Sequence, residues 1–554
     1  MSEPLGTGLE EPENRNGAFP RLDEQQRARL RALGTPRTVE SGEVLYREGQ
    51  EGYDFFLLES AAVAVVQGYG REDRVIAVLG PHHFSGELSL LTGSNAAVSA
   101  VVRDPGEVIQ IPPAKIIRAA SHDEELSNVI LRAYLSRRSI LIEQEAGVRV
   151  VGSRYSKDTR RLREFLARNR VPYKWMDLET DAEADGLLHA LGVAPGETPV
   201  VVGGTGTLRN PSNAELASML GLGAHGSPPA LCDLVVVGGG PAGLAAALYG
   251  ASEGLDTQAI DSVAFGGQAS TSSRIENYLG FPTGISGSEL AERAQLQASR
   301  FGARLAMPAE AVGFERADGH YTIRLAGGET VNGRTVIVAT GAQYRKLAVP
   351  GLERYEGLGV YYAATQAEAQ TCAGDPVLIV GGGNSAGQAA MFLSEHAGSC
   401  RLLIRGGDLG KSMSRYLVEE IEARPSIEVL THREIDELGG GSSLETALVR
   451  DTRTGERTEM PATALFVFIG ASPHTEWLRG EVAMDEDGFL LTGVDVDDED
   501  LAEDPRERPF FLETSRPGVF AVGDVRSSSI KRVASAVGEG SMAVRLVHQR
   551  LASG

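Results

Sequence analysis

The chain has 554 residues, of which 42% are hydrophobic and 23% charged, and its formal net charge at pH 7 is −22. This length exceeds what one hydrophobic core organises and predicts about three or four domains. The negative charge disfavours nucleic acid and anionic membranes as partners. The three cysteines, Cys232, Cys372 and Cys400, form no CxxC pair, which excludes a disulfide scaffold and a cysteine-rich metal site. The N-terminus has no apolar signal stretch and the apolar runs are strand-sized, so we expect a cytoplasmic protein without a metal centre.

The N-terminal part predicts a disordered tail followed by a β-roll. Residues 1–18 are polar and acidic, which is typical of a disordered tail. Over 19–145, short apolar runs alternate with glycine turns and give way to helical segments after Pro112 and Pro113. This pattern favours a small β-roll closed by helices.

The segment Phe84–Leu91, with the sequence FSGELSLL, resembles the phosphate cassette of cyclic-nucleotide-binding domains. The resemblance implies that Glu87 binds a ribose hydroxyl and that the N-terminus of a short helix binds the phosphate. The implied ligand-binding residues are Gly86, Glu87, Leu88 and Ser89. Asn95 stands where that family has its phosphate-binding arginine, a loss of about 1.5–3 kcal/mol in binding free energy. A cyclic nucleotide, another small ligand and a purely structural role therefore all stay open.

Residues 148–222 predict an α/β domain in which strands and helices alternate. Ser153 and Ser156 resemble the active-site turn of a thioredoxin- or glutaredoxin-like fold, and Thr198 with Pro199 resembles its cis-proline strand start. Because serine cannot form a disulfide, this cysteine-free domain is predicted to be a docking or spacer module and not a catalyst. The Gly/Ser/Pro-rich residues 223–230 predict a linker.

Two glycine fingerprints dominate the rest of the chain. The sequence VVVGGGPAG ends at Gly243 and VLIVGGGNSA ends at Ala386, each after an apolar strand and before a small-residue helix. In such a turn one glycine permits the tight bend, another lets backbone approach a pyrophosphate, and the helix N-terminus binds phosphate. Two motifs with these flanks predict two bound dinucleotides in two doubly wound α/β domains.

Residues 231–552 resemble the low-molecular-weight thioredoxin reductases. Besides the fingerprints, the resemblance rests on GGQ at 266–268, IENYLGFP at 275–282, FIGASP at 468–473, GD at 523–524 and KRVASAVGEG at 531–540. It implies an FAD domain split between 231–345 and 476–554, with an NAD(P)H domain at 346–475 inserted into it. It also implies FAD and NADPH as cofactors, with NADH less favoured, hydride transfer from nicotinamide to flavin, and a homodimer.

The same motifs give the candidate cofactor-binding residues. Asp261 ends the second strand of the FAD domain, where it can accept hydrogen bonds from the adenosine ribose, and by resemblance Asp524 holds the ribityl chain. The FAD side comprises Gly238, Gly240, Pro241, Ala242, Gly243, Asp261, Gly266, Gly267, Gln268, Asn277, Ala311, Thr340, Gly341, Gly523, Asp524, Arg532, Val533 and Ala534. The remaining candidates are Gly381, Gly383, Asn384, Ser385, Ala386, Arg405, Lys411, Arg415, Ile469 and Gly470.

Arg405 bears on the choice between NADPH and NADH. It ends the strand after the second fingerprint, where an NADH-specific protein usually has an acidic residue, and so favours a 2′-phosphate. The family's usual site is His-Arg-Arg followed by another Arg, and only Arg405 matches it. Lys411 or Arg415 could supply the missing charge, or nothing does.

The redox dithiol of that family is absent. In the corresponding segment 360–366, VYYAATQ, alanine and glutamine replace the cysteines, and Cys372 stands alone a few residues on. A disulfide relay needs two thiols, so electrons are expected to pass from the flavin to a small-molecule or protein acceptor: a quinone, oxygen, a metalloprotein or an external disulfide. No side chain is assigned as catalytic. The alternatives are a sensor or scaffold flavoprotein without turnover, and disulfide reduction through Cys372 and a partner's thiol.

Overall fold

The computed structural model describes residues 11–553, apart from 71–72, 91–92, 223–230, 273, 276–277, 318, 357–358, 363, 365 and 502–507. The predicted linker and the candidate ligand Asn277 therefore lie outside the described residues. The chain divides into two compact units, Met1–Pro228 with Leu305–Pro308, and Pro229–Arg304 with Ala309–Gly554. In the described part of the chain, no helix has the length and apolar content needed to cross a membrane.

The first domain is built from two four-stranded antiparallel sheets closed by helices, with strand orders β1-β8-β3-β6 and β2-β7-β4-β5. Its strands are β1 (Thr35–Val39), β2 (Val44–Tyr46), β3 (Phe55–Leu58), β4 (Ala62–Gln67), β5 (Arg74–Leu79), β6 (Phe84–Ser85), β7 (Ser99–Asp104) and β8 (Gly106–Ile111). Its helices are α1 (Glu24–Arg31), α2 (Glu87–Leu90), α3 (Pro113–His122) and α4 (Glu124–Glu143). All four residues of β3, with the sequence FFLL, are buried, so both faces of this strand contribute to the core of the domain. Within the predicted tail, Ala18 is fully buried.

The second domain is a four-stranded sheet flanked by helices, with strand order β10-β9-β11-β12. The elements are β9 (Val148–Gly152), α5 (Lys157–Arg168), β10 (Tyr173–Asp177), α6 (Ala182–Ala190), β11 (Val200–Gly203), β12 (Gly206–Arg209) and α7 (Asn213–Leu220). Strands β9 and β10 are parallel, whereas β11 is antiparallel to β9. The peptide bond between Thr198 and Pro199 is cis. Ser212 and Glu215 form a capping box at the start of α7, and Gly221 ends that helix in the left-handed conformation, as local sequence rules predict.

A doubly wound half follows the second domain along the chain. Its first elements are β13 (Cys232–Val237), α8 (Pro241–Ser252), β14 (Thr257–Ile260), α9 (Gly287–Arg300), β15 (Arg304–Ala306), β16 (Ala311–Ala317), β17 (His320–Leu325), β18 (Thr330–Val338) and β19 (Ala342–Tyr344). The sheet has the order β15-β14-β13-β18-β17-β16, and β13 is parallel to both β14 and β18. The first fingerprint therefore lies between the central strand of the sheet and α8.

An inserted domain repeats this arrangement. Its elements are α10 (Leu352–Tyr355), β20 (Val360–Tyr361), α11 (Gln366–Thr371), β21 (Pro376–Val380), α12 (Asn384–Leu393), β22 (Ser399–Ile404), α13 (Arg415–Glu422), β23 (Ile427–Thr431), β24 (Arg433–Gly439), β25 (Thr446–Asp451), β26 (Arg457–Pro461) and β27 (Ala464–Val467). The order β20-β27-β21-β22-β23 gives a parallel sheet, next to a three-stranded sheet of β24, β25 and β26. The second fingerprint joins β21 to α12.

The chain then returns to the first half of this unit. β28 (Ala471–Pro473) pairs antiparallel with β19, and β29 (Val519–Ala521) pairs parallel with β18. The last helix, α14 (Val533–Ser553), packs on α8 so closely that a Cβ on Gly540 would overlap the carbonyl oxygen of Ala242. The predicted domain bounds at 346 and 475 each fall just after one strand of the β19–β28 pair.

Candidate dinucleotide sites and N-terminal ligand site

Glu87, the predicted ribose ligand, is buried and paired inside the first domain. It begins α2, and only 2% of its surface is exposed. Its Oε1 lies 2.8 Å from Nη1 of Arg137 on α4, whereas its Oε2 has no hydrogen-bond partner. Arg137 also donates to the carbonyls of Phe84 and Ala18, at 3.0 and 2.7 Å. The carboxylate is therefore neutralised by a residue that sequence reasoning missed, since Arg137 lies far outside the cassette.

The other cassette residues lie around this pair. Gly86 has φ of +100°, and a Cβ there would overlap the carbonyl oxygen of Asp54, so the turn into α2 requires glycine. Leu88 is half-buried and Ser89 lies on α2. Asn95 donates its backbone N–H to the carbonyl of Leu220, at 3.0 Å.

The first fingerprint forms a tight turn that is partly packed and partly open. Gly238 has φ of +105°, and a Cβ on it would overlap the carbonyl of Ala339. A Cβ on Gly243 would overlap the carbonyl of Gly238. Gly240 differs, because its φ of −68° suits any residue and the nearest protein atom to a Cβ there, on Gly267, is 3.8 Å away. The protein's own packing does not require glycine at Gly240, whereas a pyrophosphate against the N-terminus of α8 does.

Asp261 holds this turn in place. Its Oδ2 accepts the backbone N–H of Gly239 at 2.8 Å, and its Oδ1 accepts those of Val263 and Ala264 at 2.9 and 3.0 Å. A carboxylate has about four lone-pair sites, so a site is left for the ribose hydroxyl predicted here. The backbone N–H of Ala309, two residues before Ala311, donates to the carbonyl of Asp261 at 2.7 Å.

The GGQ turn packs against the same fingerprint. Gly266 donates its N–H to the carbonyl of Gly239 at 2.6 Å. A Cβ on Gly267 would stand 2.8 Å from the Cα of Gly240, and the side chain of Gln268 is exposed. The structure thus brings together two glycine motifs that are separated in the sequence.

A third group of candidates lies at the ends of β18 and β29. Thr340 Oγ1 donates to the carbonyl of His474 at 2.9 Å, next to Gly341. A Cβ on Gly523 would lie 3.0 Å from the Cβ of Ala242 on α8, so the Gly523–Asp524 turn lies beside the first fingerprint. Burial raises the pKa of Asp524 above its usual range; the positive charge of Lys531 opposes this rise and the carboxylate of Glu539 adds to it.

Glu539 fixes the Gly523–Asp524 turn and was not assigned a role from the sequence. Its Oε2 accepts the backbone N–H of Gly523 at 2.7 Å, and its Oε1 lies 2.6 Å from Nη2 of Arg526. Both side chains of this ion pair are nearly buried. The sequence signal that could have found Glu539 is the GEG motif within α14. Arg532, Val533 and Ala534 lie at the start of that helix, and Ile469 and Gly470 connect β27 to β28.

The second fingerprint shows the same division between packed and open glycines. Gly381 has φ of +146°, and a Cβ on it would overlap the carbonyl of Phe468. Gly383 has φ of −95°, and the nearest atom to a Cβ there, the carbonyl oxygen of Ser412, is 4.0 Å away. Ser385 and Ala386 form the first turn of α12. These residues fit a second pyrophosphate at the N-terminus of that helix.

The loop between β22 and α13 carries the predicted basic residues. Arg405 directly follows β22, Lys411 lies in a 3₁₀ turn and Arg415 begins α13, and all three are exposed. The Nε of Arg415 lies 2.8 Å from Oε1 of Glu419. The structure places the three cations on one loop beside the second fingerprint.

His432 was not predicted as part of this loop. Its Nε2 is 2.8 Å from where a Cβ of Gly407 would stand, and its backbone N–H donates to the carbonyl of Gly406 at 3.0 Å. No sequence motif singles it out, because it reaches the loop from the end of the neighbouring strand β23.

Two family models match the chain. Residues 232–540 match the family described as pyridine nucleotide-disulphide oxidoreductase, and residues 36–123 match the cyclic nucleotide-binding domain. The first match covers more than half of the chain and includes both fingerprints. The chain belongs to the pyridine nucleotide-disulphide oxidoreductase family.

Several thioredoxin reductases are similar to this chain. That of Mycolicibacterium smegmatis is 35% identical over 316 residues, which are 56% of this chain and 94% of the relative. The crystal structure of Lactococcus lactis thioredoxin reductase in its FR conformation superposes with a TM-score of 0.53 at 27% identity, over 58% of this chain and 100% of that one. For the T. acidophilum thioredoxin reductase the TM-score is 0.52 at 29% identity, over 58% and 98%.

This pyridine nucleotide-disulphide oxidoreductase is thus of the thioredoxin reductase type, fused to an N-terminal cyclic nucleotide-binding domain. The family implies FAD and NAD(P)H as cofactors and an electron acceptor, and the N-terminal domain implies a cyclic nucleotide. The resemblance carried by the fingerprints and the other sequence motifs predicted this family correctly.

The three thiols of this oxidoreductase are buried. Burial raises the pKa of Cys372 to about 11, and its Sγ donates to the carbonyl of Glu368 at 3.1 Å. Burial also raises the pKa of Cys400, to about 12, and that of Cys232. Reactive thiols are accessible and have lowered pKa values, so these cysteines have the character of core residues. Of the two residues predicted to replace the family's dithiol, Ala363 lies outside the described residues and Gln366 begins α11.

Proposed function

We propose that the chain is an NAD(P)H-dependent FAD oxidoreductase whose electrons leave directly from the flavin, without an internal dithiol. The observation that carries the proposal is the pair of open glycines, Gly240 and Gly383, at the uncapped N-termini of α8 and α12. When bound, NAD(P)H would supply a hydride and FAD would accept it.

The residues of the chain would bind and orient these groups. The N–H groups at the starts of α8 and α12 would donate to the two pyrophosphates, while Asp261 and Asp524 would accept hydrogen bonds from hydroxyl groups of the FAD ribose and ribityl chain. On the nicotinamide side, Arg405 with Lys411 or Arg415 would hold a 2′-phosphate, which makes NADPH the preferred donor.

The electron acceptor would be a quinone, oxygen, a metalloprotein or an external disulfide, because the chain has no CxxC pair. The second domain, which resembles a thioredoxin fold, would be a docking or spacer module and would not transfer electrons. Ser156 accepts the N–H of Thr159 at 3.2 Å as the N-cap of α5, and Ser153 donates to Glu179 at 2.6 Å. Both serines thus have structural hydrogen bonds where a redox fold has thiols. A ligand of the N-terminal domain would regulate the homodimeric enzyme.

Anaerobic stopped-flow absorbance tests this function. The FAD-loaded protein is mixed with NADPH and, separately, with NADH; we expect rapid bleaching of the flavin band by NADPH and slower bleaching by NADH. Reoxidation by quinones, oxygen, metalloproteins and disulfides then identifies the acceptor, with the cysteine-free triple variant C232A/C372A/C400A as the control that keeps its rate. Absence of bleaching with either nucleotide would contradict the proposal and leave a non-turnover sensor, whereas loss of activity in the triple variant would restore a thiol route.

A further inference from the structure

A cavity of about 70 Å³ lies between the cassette of the first domain and the second domain. At roughly 10–15 Å³ for each water, it holds about five waters or one small organic molecule. Most of its wall is aliphatic. The lining includes Leu88, Ala97, Leu141, Val148, Val171 and Met219. Apolar cavities of this kind take up small apolar ligands, and the polar groups at the rim decide which ligand charge is tolerated.

On one side, the rim is the C-terminal end of α5. Among the lining residues that the structure describes, Arg138 is the one cation. Its guanidinium donates to the carbonyls of Arg170 and Asn169, at 2.9 and 2.7 Å, the first residues after α5. A helix C-terminus carries about half a negative charge, which offsets the charge of Arg138. The carboxylate-bearing Glu48 also lines the cavity.

On the other side, the rim is the C-terminal end of α7. Asn95, which replaces the cassette arginine, donates its backbone N–H to Leu220 at 3.0 Å and its Nδ2 to Met219 at 3.1 Å. Gly221 completes this contact, because a Cβ there would overlap Oδ1 of Asn95. The position that would hold a positive charge for a phosphate therefore holds two helix-terminal carbonyls, which repel an anion.

The carboxylate of Glu87, the predicted ribose ligand, is paired with another side chain. Glu87 is 2% exposed and its Oε1 lies against Arg137. Of the groups that a cyclic nucleotide needs, the carboxylate is buried and paired, and the arginine is replaced by Asn95, which is bonded to carbonyls at the end of α7. The residues present do not fit the ligand that the domain family implies.

We propose that the first domain binds a small, uncharged and mainly apolar molecule in this cavity, with the second domain as one wall of the site, and that it does not bind a cyclic nucleotide. The aliphatic lining stabilises such a molecule by burying its surface, and an uncharged molecule escapes repulsion by the two helix ends. The inference specifies the regulatory ligand of the proposed function and rests on that function only for its effect on turnover.

Indole is a suitable probe because it is uncharged and consists of one small ring system. The full-length, FAD-loaded protein is titrated calorimetrically with indole and, separately, with 3′,5′-cyclic AMP. We expect saturable millimolar binding of indole and no saturable binding of cyclic AMP. Ala97→Phe from the first domain and Met219→Trp from the second fill the cavity, so each should weaken indole binding by about tenfold or more.

The control is Ile117→Phe at an exposed position of α3, which should leave indole binding unchanged. Thermal melting verifies that each variant folds, and two filling variants guard against the failure of one. Micromolar binding of cyclic AMP, no saturable binding of indole, or indole binding that survives both filling variants would each overturn the inference. Flavin reduction by NADPH is measured on the same samples, so a failure of the proposed oxidoreductase function is seen separately.

Discussion

The side-chain oxygen of Asn384 accepts the backbone N–H of Ser414 at 2.7 Å. This bond connects the second glycine fingerprint to the loop that carries the candidate 2′-phosphate ligands. A second bond, from Ser412 Oγ to the carbonyl of Gly382 at 2.8 Å, acts in the same place. The second fingerprint and the loop that carries the basic residues are therefore fixed relative to each other.

Replacing Asn384 by alanine should loosen the basic loop without unfolding the domain. We expect KM for NADPH to rise about tenfold, equivalent to about 1.4 kcal/mol, because one hydrogen bond that positions the loop is lost. Steady-state kinetics with a fixed acceptor measure the change. Glu420→Ala on the exposed face of α13 is the control, and an equal effect of both variants would contradict the positioning role of Asn384.

The charge at Arg405 should discriminate between the two nicotinamide donors. Arg405→Ala is expected to raise KM for NADPH by about tenfold or more while leaving KM for NADH unchanged, because only NADPH has the phosphate. Arg415→Ala should have a smaller effect, since Arg415 already pairs with Glu419. KM is measured for both donors with each variant. An equal rise in KM for NADPH and NADH in Arg405→Ala would mean that Arg405 has only a structural role.

Two glycines of the second fingerprint should respond oppositely to alanine. Gly383→Ala meets no atom closer than 4.0 Å, so the apoprotein should keep its melting temperature while nicotinamide nucleotide binding is lost. Gly381→Ala places a Cβ against the carbonyl of Phe468 at φ of +146° and should destabilise the fold by about 1–3 kcal/mol. Melting curves and NADPH titrations on both variants test this pair, and unchanged NADPH affinity in Gly383→Ala would refute the cradle.

Asp524 should make the stability of the apoprotein depend on pH. Burial raises its folded pKa above the unfolded value, so the folded protein binds the proton more tightly than the unfolded chain. The stability contribution is present below the unfolded pKa, near about 4, and is lost as pH rises through the raised folded value. Melting temperatures of wild-type and Asp524→Asn apoproteins should therefore converge at low pH and diverge towards neutrality, with the asparagine variant the more stable. A difference independent of pH would count against the raised pKa.

The pair Glu87–Arg137 should behave as a buried ion pair. Arg137→Met leaves the carboxylate of Glu87 unpaired and should destabilise the first domain by about 3–5 kcal/mol. Because the double variant E87L/R137M removes both charges, it should regain much of that loss. Chemical unfolding monitored by circular dichroism gives the two values. A double variant less stable than Arg137→Met would show that the pair itself stabilises the domain.

The parts of the site that the sequence predicted are those whose function is local. Gly381 and Gly383 stand in a ten-residue pattern of strand, turn and helix, and that pattern, together with the first fingerprint, predicted two dinucleotide-binding domains. The residues that were missed act across long separations: Arg137 reaches Glu87 from α4, and Glu539 reaches Gly523 from 16 residues away. Such pairings are decided by how helices pack on sheets, which spacing rules do not encode.

At the N-terminal site, too, a contact between distant segments could not be predicted from the local sequence. The cassette sequence around Glu87 implied a cyclic nucleotide, and the replacement by Asn95 was visible in the sequence. The hydrogen-bond partners of Asn95, which are the carbonyls of Met219 and Leu220, could not be predicted from the sequence, because they belong to α7 of another domain. Ligand chemistry at this site is thus set by a partner segment more than a hundred positions along the chain.

The side chain of Asp261 accepts hydrogen bonds from three backbone N–H groups. One is donated by Gly239 in the turn of the first fingerprint, and two are donated by Val263 and Ala264 in the segment after β14. Because these bonds join the two segments through protein atoms alone, they reduce the conformational entropy that a dinucleotide would have to remove on binding. Asp261 would therefore serve the proposed dinucleotide site twice, as a ligand of the ribose and as the link that keeps the turn in register with the neighbouring strand.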